Sequence, residues 1–193
     1  ADAATVSTYT ARGGVAEVHF TRFEATGTDA WGSPCGTSTE AFVSAHENVS
    51  HTTPGSRLLA REVYAGVWMT DTCTGATLLA ADAYQPDARL SVSGTASARV
   101  EASMTLRDYV SGAETPLAVS LSFTGQGAVE KAGDRTRVMG PGTLYVSRDR
   151  GAVRMATVRG SIGLFGRDVL AGASVDVAAI AQLSSTSVSV TRQ

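Results

Sequence analysis

Few residues in this 193-residue chain could do chemistry, and they fall into four groups. The histidines are His19, His46 and His51. His46 and His51 bracket Glu47, but a metal ion wants at least three converging ligands. On a strand His46 and Glu47 would point to opposite faces. They read as surface histidines beside a turn, so neither a metal site nor a cofactor is expected. Glu62, Asp71, Asp82 and Asp87 lie close together in the 58–87 region. Two such acids facing across a cleft could hydrolyse a glycosidic bond, yet nothing in their spacing pairs them. The serines lack the G-x-S-x-G setting of an esterase nucleophile. No catalytic residue is assigned.

The third group is cationic. Lys131, Arg135 and Arg137 lie in the Gly-rich segment Gly125–Gly142, where cations among glycines could hold an anion. The segment lacks the G-x-x-x-x-G-K-[ST] pattern of a phosphate loop and reads as an exposed hairpin or loop. The fourth group is aromatic: Trp31, Tyr64, Trp68, Tyr84 and Tyr109 carry faces that could stack on a sugar. Trp68 sits in the most apolar segment and is expected in the core. Trp31, in a Gly-rich loop beside Cys35, is the better exposed contact, with packing against a disulfide as the competing role. The ligand-binding candidates are therefore Trp31, Lys131, Arg135 and Arg137.

These residues must be positioned by strands. In the stretch Arg89 to Asp108 the even residues from Leu90 to Leu106 are apolar or small and every odd one is polar, the pattern of a ribbon with one dry face. At ~3.3 Å per residue it would run roughly 65 Å, longer than a compact chain of this size, so it must bend, with Gly94 as the place. Similar alternation marks Val6–Thr10, Val15–Glu24, Ala41–Val49, Ala76–Tyr84, Leu117–Thr124, Leu144–Ser147, Val153–Ile162, Asp168–Gln182 and Ser187–Arg192. Gly13-Gly14 and Arg148-Asp149-Arg150-Gly151 read as hairpin turns, and Ser50–Ser56 as a turn around Pro54-Gly55. Leu58–Thr70 is apolar on both faces and is expected to be covered on both. The fold class is all-β: an antiparallel sandwich or flattened barrel of about eleven strands in one domain, 1–193. A loose echo between Val15–Val49 and Ala98–Gly125 raises a duplication of two halves, about 1–87 and 88–193.

Composition narrows the partners. A formal net charge of −2 and no basic stripe argue against nucleic acid. No apolar run reaches the ~20 residues of a membrane-spanning helix. Cys35 and Cys73, the only cysteines, lie in turn-rich stretches and read as one disulfide, the mark of an oxidising compartment. Ala1-Asp2-Ala3-Ala4 reads as a mature start after signal-peptide removal.

Cys73-Thr74-Gly75, the ribbon ending at Asp108, Leu117–Gly127 and Arg148–Ala152 together resemble exported, uncharacterised bacterial proteins of the actinobacterial type. The resemblance covers roughly residues 15–192, implies export and a β fold, and carries no catalytic motif. The expectation is a secreted or cell-surface, non-catalytic binding or structural module whose partner is a carbohydrate or a surface protein. The alternatives are a secreted hydrolase using the 58–87 carboxylates and a barrel carrying a small apolar ligand.

Overall fold

Alternation of small apolar with polar side chains builds eleven strands, all paired antiparallel in one sheet, in the computed structural model, which describes residues 4–53, 55, 57–141 and 143–192. They are β1 (Ala4–Thr28), β2 (Pro34–Thr53), β3 (Arg57–Asp71), β4 (Ala76–Pro86), β5 (Arg89–Ser93) and β6 (Ser97–Asp108), followed by β7 (Glu114–Gly125), β8 (Glu130–Gly140), β9 (Thr143–Leu164), β10 (Arg167–Asp168) and β11 (Ser174–Arg192). Among the described residues there is no helix. The neighbour order is β10-β9-β11-β1-β2-β3-β4-β6-β5, and β7 lies between β6 and β9. That last pairing bends the sheet into a ring. The seam between β4 and β6 is held by two residue pairs, Ala81–Asp108 and Asp82–Arg107, so closure is partial.

The inward side chains explain the close packing. Ala16, Val18 and Phe20 of β1 share one core with Ile180 of the neighbouring β11, Val43 and Ala45 of β2, Val63, Ala65 and Val67 of β3, and Val100, Leu106, Leu121, Phe123 and Ile162 of β6, β7 and β9. Small side chains let opposite walls approach until the interior is filled. A filled interior removes the apolar-ligand carrier. At one end Cys35 and Cys73 are bridged, with Cα atoms 5.0 Å apart, and the closed loop spans 38 residues. In the chain-entropy model such a loop is worth about 4 kcal/mol.

Several boundaries differ from the sequence expectation, each for a physical reason. The ribbon 89–108 does not curl as one strip. It folds back at Gly94, which takes a φ of +56° that favours glycine, so β5 pairs with β6. Gly13-Gly14 is not a turn, because β1 runs straight through it; Gly14 is small because Val92 of β5 packs onto it. Strand β3 has only one covered face: Val63, Ala65, Val67 and Met69 are inward, whereas Tyr64 and Trp68 face solvent, with Trp68 42% exposed. Arg148–Gly151 is not a turn but the middle of β9, flanked by β8 and β11. Most of Gly125–Gly142 is strand β8 rather than loop. Residues 1–3, read as a mature start, lie outside the described residues, as do Pro54 and Ser56 of the expected turn.

Candidate functional site

Strands β1, β2, β9 and β11 are longer than the ring needs. At ~3.3 Å per residue, the 25 residues of β1 would extend roughly 80 Å. Its second half lines the core, while its first half runs on into solvent beside β2, β11, β9 and β8. The result is a half-open trough whose concave face continues the inner face of the ring. Its open volume is about 1330 Å³.

Cross-strand register sets the lining as a grid. One row reads Val49, Arg12, Ser184, Arg150, Gly133 across β2, β1, β11, β9 and β8; the next reads His51, Thr10, Thr186, Arg148, Arg135. The row nearest the core is Glu47, Gly14, Gln182, Ala152, Lys131. Neighbouring strands lie ~4.8 Å apart and alternate residues ~6.8 Å apart along a strand. Gly133 leaves space opposite Arg150.

Alternation also sorts the charges. In Arg148-Asp149-Arg150 and Asp134-Arg135 the bases fall on the concave face, and the acids pair across β8 and β9 on the convex one. Arg12, Lys131, Arg135, Arg148 and Arg150 line the trough with His51, and among the described residues no carboxylate lines it. Glu47, at the inner margin, is held by Arg61 at 2.7 Å. The ion pairs among the described residues involve Arg22, Arg61, Arg89 and Arg167 and none of the five trough cations. Like charges gathered without counter-charge repel one another, and the potential they focus attracts anions.

The structure thus brings two of the sequence candidates, Lys131 and Arg135, to one surface, with Arg137 next on the same face of β8 opposite Val146. Trp31 is elsewhere: it is 90% exposed in the turn joining β1 to β2, at the disulfide end. Sequence reasoning missed Arg148 and Arg150 because a charged Arg-Asp-Arg-Gly tetrad looks like a hairpin tip. The available signal was period-two continuity through Val146, Arg148, Arg150 and Ala152. Arg12 was missed because Gly13-Gly14 was read as a break.

The other chemistry-bearing cluster lies on the convex face of β1–β4. His19, Phe42 and Trp68 stack in series at centroid spacings of 5.6 and 5.9 Å. Beside them the hydroxyls of Tyr64 and Tyr84 donate to the Glu62 carboxylate at 3.2 and 2.9 Å. The bond to Glu62 pushes the Tyr84 phenol up to about 12. Partial desolvation, with Glu62 adding to it, raises Tyr64. Tyr109 is raised likewise, chiefly by its bond to Asp82. Glu62 pairs opposite Pro86 and Asp82 opposite Gly66, which puts the two acids ~13 Å apart along the strands. Glycoside hydrolysis needs ~5–9.5 Å. Asp71 is farther still, capping the Cys73 turn through Thr74 and the Cys73 N–H, which hold its carboxyl below the usual range. Glu62, Asp71 and Asp82 therefore form no catalytic pair, and Asp87, just past β4 at a φ of +54°, lines a shallow hollow with Gln85 and Arg89.

The histidines also scatter. His46 shares a hydrogen bond with Ser44 at 2.9 Å on the convex face, His51 lies in the trough, and His19 stacks on Phe42.

No protein-family model matches the chain, and no curated protein matches it in sequence. Two solved structures are weakly similar. An acetoacetate decarboxylase-like enzyme from Sphingomonas wittichii RW1 aligns over 96% of this chain and 92% of its own, at 9% identity and a TM-score of 0.32. The enduracididine biosynthesis enzyme MppR, complexed with pyruvate, aligns over 95% and 88%, at 9% identity and a TM-score of 0.28. Scores this low carry no argument about what this chain does. Both are enzymes by title, against the expectation of a non-catalytic binding or structural module, and that expectation is withdrawn. What stands is an all-β fold, a partly closed antiparallel ring with a basic trough at its open end.

Proposed function

We propose that the trough binds an extended ligand bearing several negative charges. The observation that carries this is the convergence of Arg12, Lys131, Arg135, Arg148 and Arg150 on a concave surface that no carboxylate lines among the described residues. Each guanidinium offers a planar fork of donors to a carboxylate, sulfate or phosphate. Five separated cations suit a ligand with distributed charge better than a single small anion. Export to an oxidising space belongs to the same reading, supported by the Cys35–Cys73 bridge and the resemblance to exported bacterial proteins.

Titration calorimetry with dextran sulfate tests the site. Arg148→Glu with Arg150→Glu should weaken binding by at least about a hundredfold, since two charge-assisted contacts are lost. Arg99→Glu with Arg107→Glu makes the same charge change on the outward face of β6 and should leave binding within a few-fold. Equal losses in the two pairs would show that only net charge matters and would remove the trough as the site.

A further inference from the structure

Resting on that reading, we infer that the trough ligand is an acidic polysaccharide, a sugar chain carrying carboxylate or sulfate groups at intervals. The argument is the spacing of charge against neutral polarity. Strand β11 forms the floor and presents Gln182, Ser184 and Thr186 upward in a continuous amide and hydroxyl strip. Arg12 stands on one side of that strip, Arg148 and Arg150 on the other, with Lys131 and Arg135 beyond them.

Arg12 and Arg150 flank Ser184 in one row, two strand spacings or ~10 Å apart. A ligand matching this grid alternates anionic groups with neutral hydrogen-bonding groups. Uronate and partly sulfated glycans do so, because each ring keeps free hydroxyls and ring oxygens beside its charged group. Their hydroxyls both donate and accept, as do the hydroxyls of Ser184, Thr186 and Thr10. Val49, Val146, Val188 and Ala152 supply apolar patches among the polar groups for the C–H faces of the rings.

Two other polyanions fit worse. Inorganic polyphosphate carries charge on every unit, so it would lay anions along a strip that is uncharged. Single-stranded nucleic acid is held by bases stacking on aromatic side chains, and among the described residues no Phe, Tyr or Trp lines the trough.

Calorimetric titrations of the whole chain, at one ionic strength and matched charge concentration, discriminate these. The probes are polygalacturonate, dextran sulfate, neutral dextran, long-chain polyphosphate and poly(dT). Polygalacturonate or dextran sulfate should bind at least about tenfold more tightly than polyphosphate or poly(dT), and neutral dextran should not bind. Which of the two acidic glycans is tighter tells carboxylate from sulfate. Ser184→Ala with Thr186→Ala should cost glycan affinity about tenfold, the worth of one or two hydrogen bonds to an anionic ligand. A matching loss for polyphosphate, or polyphosphate or poly(dT) binding as tightly as the glycans, overturns the polysaccharide inference while the anion trough stands. Failure of every polyanion to bind overturns both.

Discussion

The closed and open ends of the ring share the four long strands β1, β2, β9 and β11, which turn different residues inward at the two ends. On β1 the inward series changes from Phe20, Val18 and Ala16 to Arg12 and Thr10. On β11 it passes from Ile180 and Ala178 to Gln182, Ser184 and Thr186, and on β9 from Leu164 and Ile162 to Arg150 and Arg148. The sheet geometry hardly notices, since ladder hydrogen bonds depend on the backbone. Stability does. Where a second wall covers the face, small apolar residues are required; where no wall covers it, the same positions are free to hold unpaired charge. One face of one strand therefore serves folding at one end and recognition at the other.

The sharpest way to break that contrast is to truncate two inward residues of one strand. Phe20 is buried against the far wall, so Phe20→Ala should lower unfolding free energy by about 3–5 kcal/mol. Arg12→Ala, on the same face of β1, should change it by no more than about 0.5 kcal/mol, and in the stabilising direction if repulsion within the trough is felt. Urea unfolding of both variants decides it. Comparable costs would mean that the trough is structural, and the division between the two ends would fall.

How far this was legible in the sequence follows from the same division. Period two revealed which residues face inward throughout, including Leu90, Val100 and Leu106 of the 89–108 segment, all buried. It could not reveal whether an inward face is covered, which is a property of the opposite wall. Arg148 and Arg150 sit in phase with Leu144 and Val146, yet charge in a strand interior reads as a turn when no partner strand is known. Trp68 erred the other way. An apolar run suggested two covered faces, whereas the outward half of β3 is a solvent-facing aromatic cluster with Phe42 and Trp68 leaning over Gly66. The disulfide was legible because two turn cysteines leave little choice of partner. The pairing of β7 with β9, which closes the ring, is a long-range contact with no local signature.

The boundary between the two ends offers a medium-sized test. Val92 of β5 packs onto Gly14, and a Cβ at Gly14 would lie 2.7 Å from that of Val92, so the pair plugs the core where the trough begins. Gly14→Ala should overpack the plug and cost about 1–3 kcal/mol. Adding Val92→Ala should recover most of the loss, because the two side chains compete for one space. Denaturation of the two single variants and the double variant gives the coupling directly. Additive losses would show that β5 does not seal the core at this point.

The smallest effect expected concerns the seam that leaves the ring only partly closed. Asp108 sits at that seam and accepts hydrogen bonds from the Ser111 hydroxyl, from the N–H groups of Ser111 and Val110 at 3.1 and 3.2 Å, and from Ala80 of β4 at 3.3 Å. With the Ser111 bond foremost, these donors hold its carboxyl at about 2, below its ordinary 3.8. A carboxylate depressed in the folded state stabilises the fold fully above its ordinary value and loses that contribution as pH falls toward the depressed one. The seam should therefore weaken between about pH 4 and pH 2, while the trough, whose charges are all cationic, gains no such weakness. Asp108→Asn removes the titration and forfeits bonds that only a carboxylate accepts. Its Tm should lie several degrees below that of the parent chain at pH 5, and the gap should close by pH 2. A gap that stays constant across that range would mean that Asp108 supports the seam through bonds that do not depend on its charge.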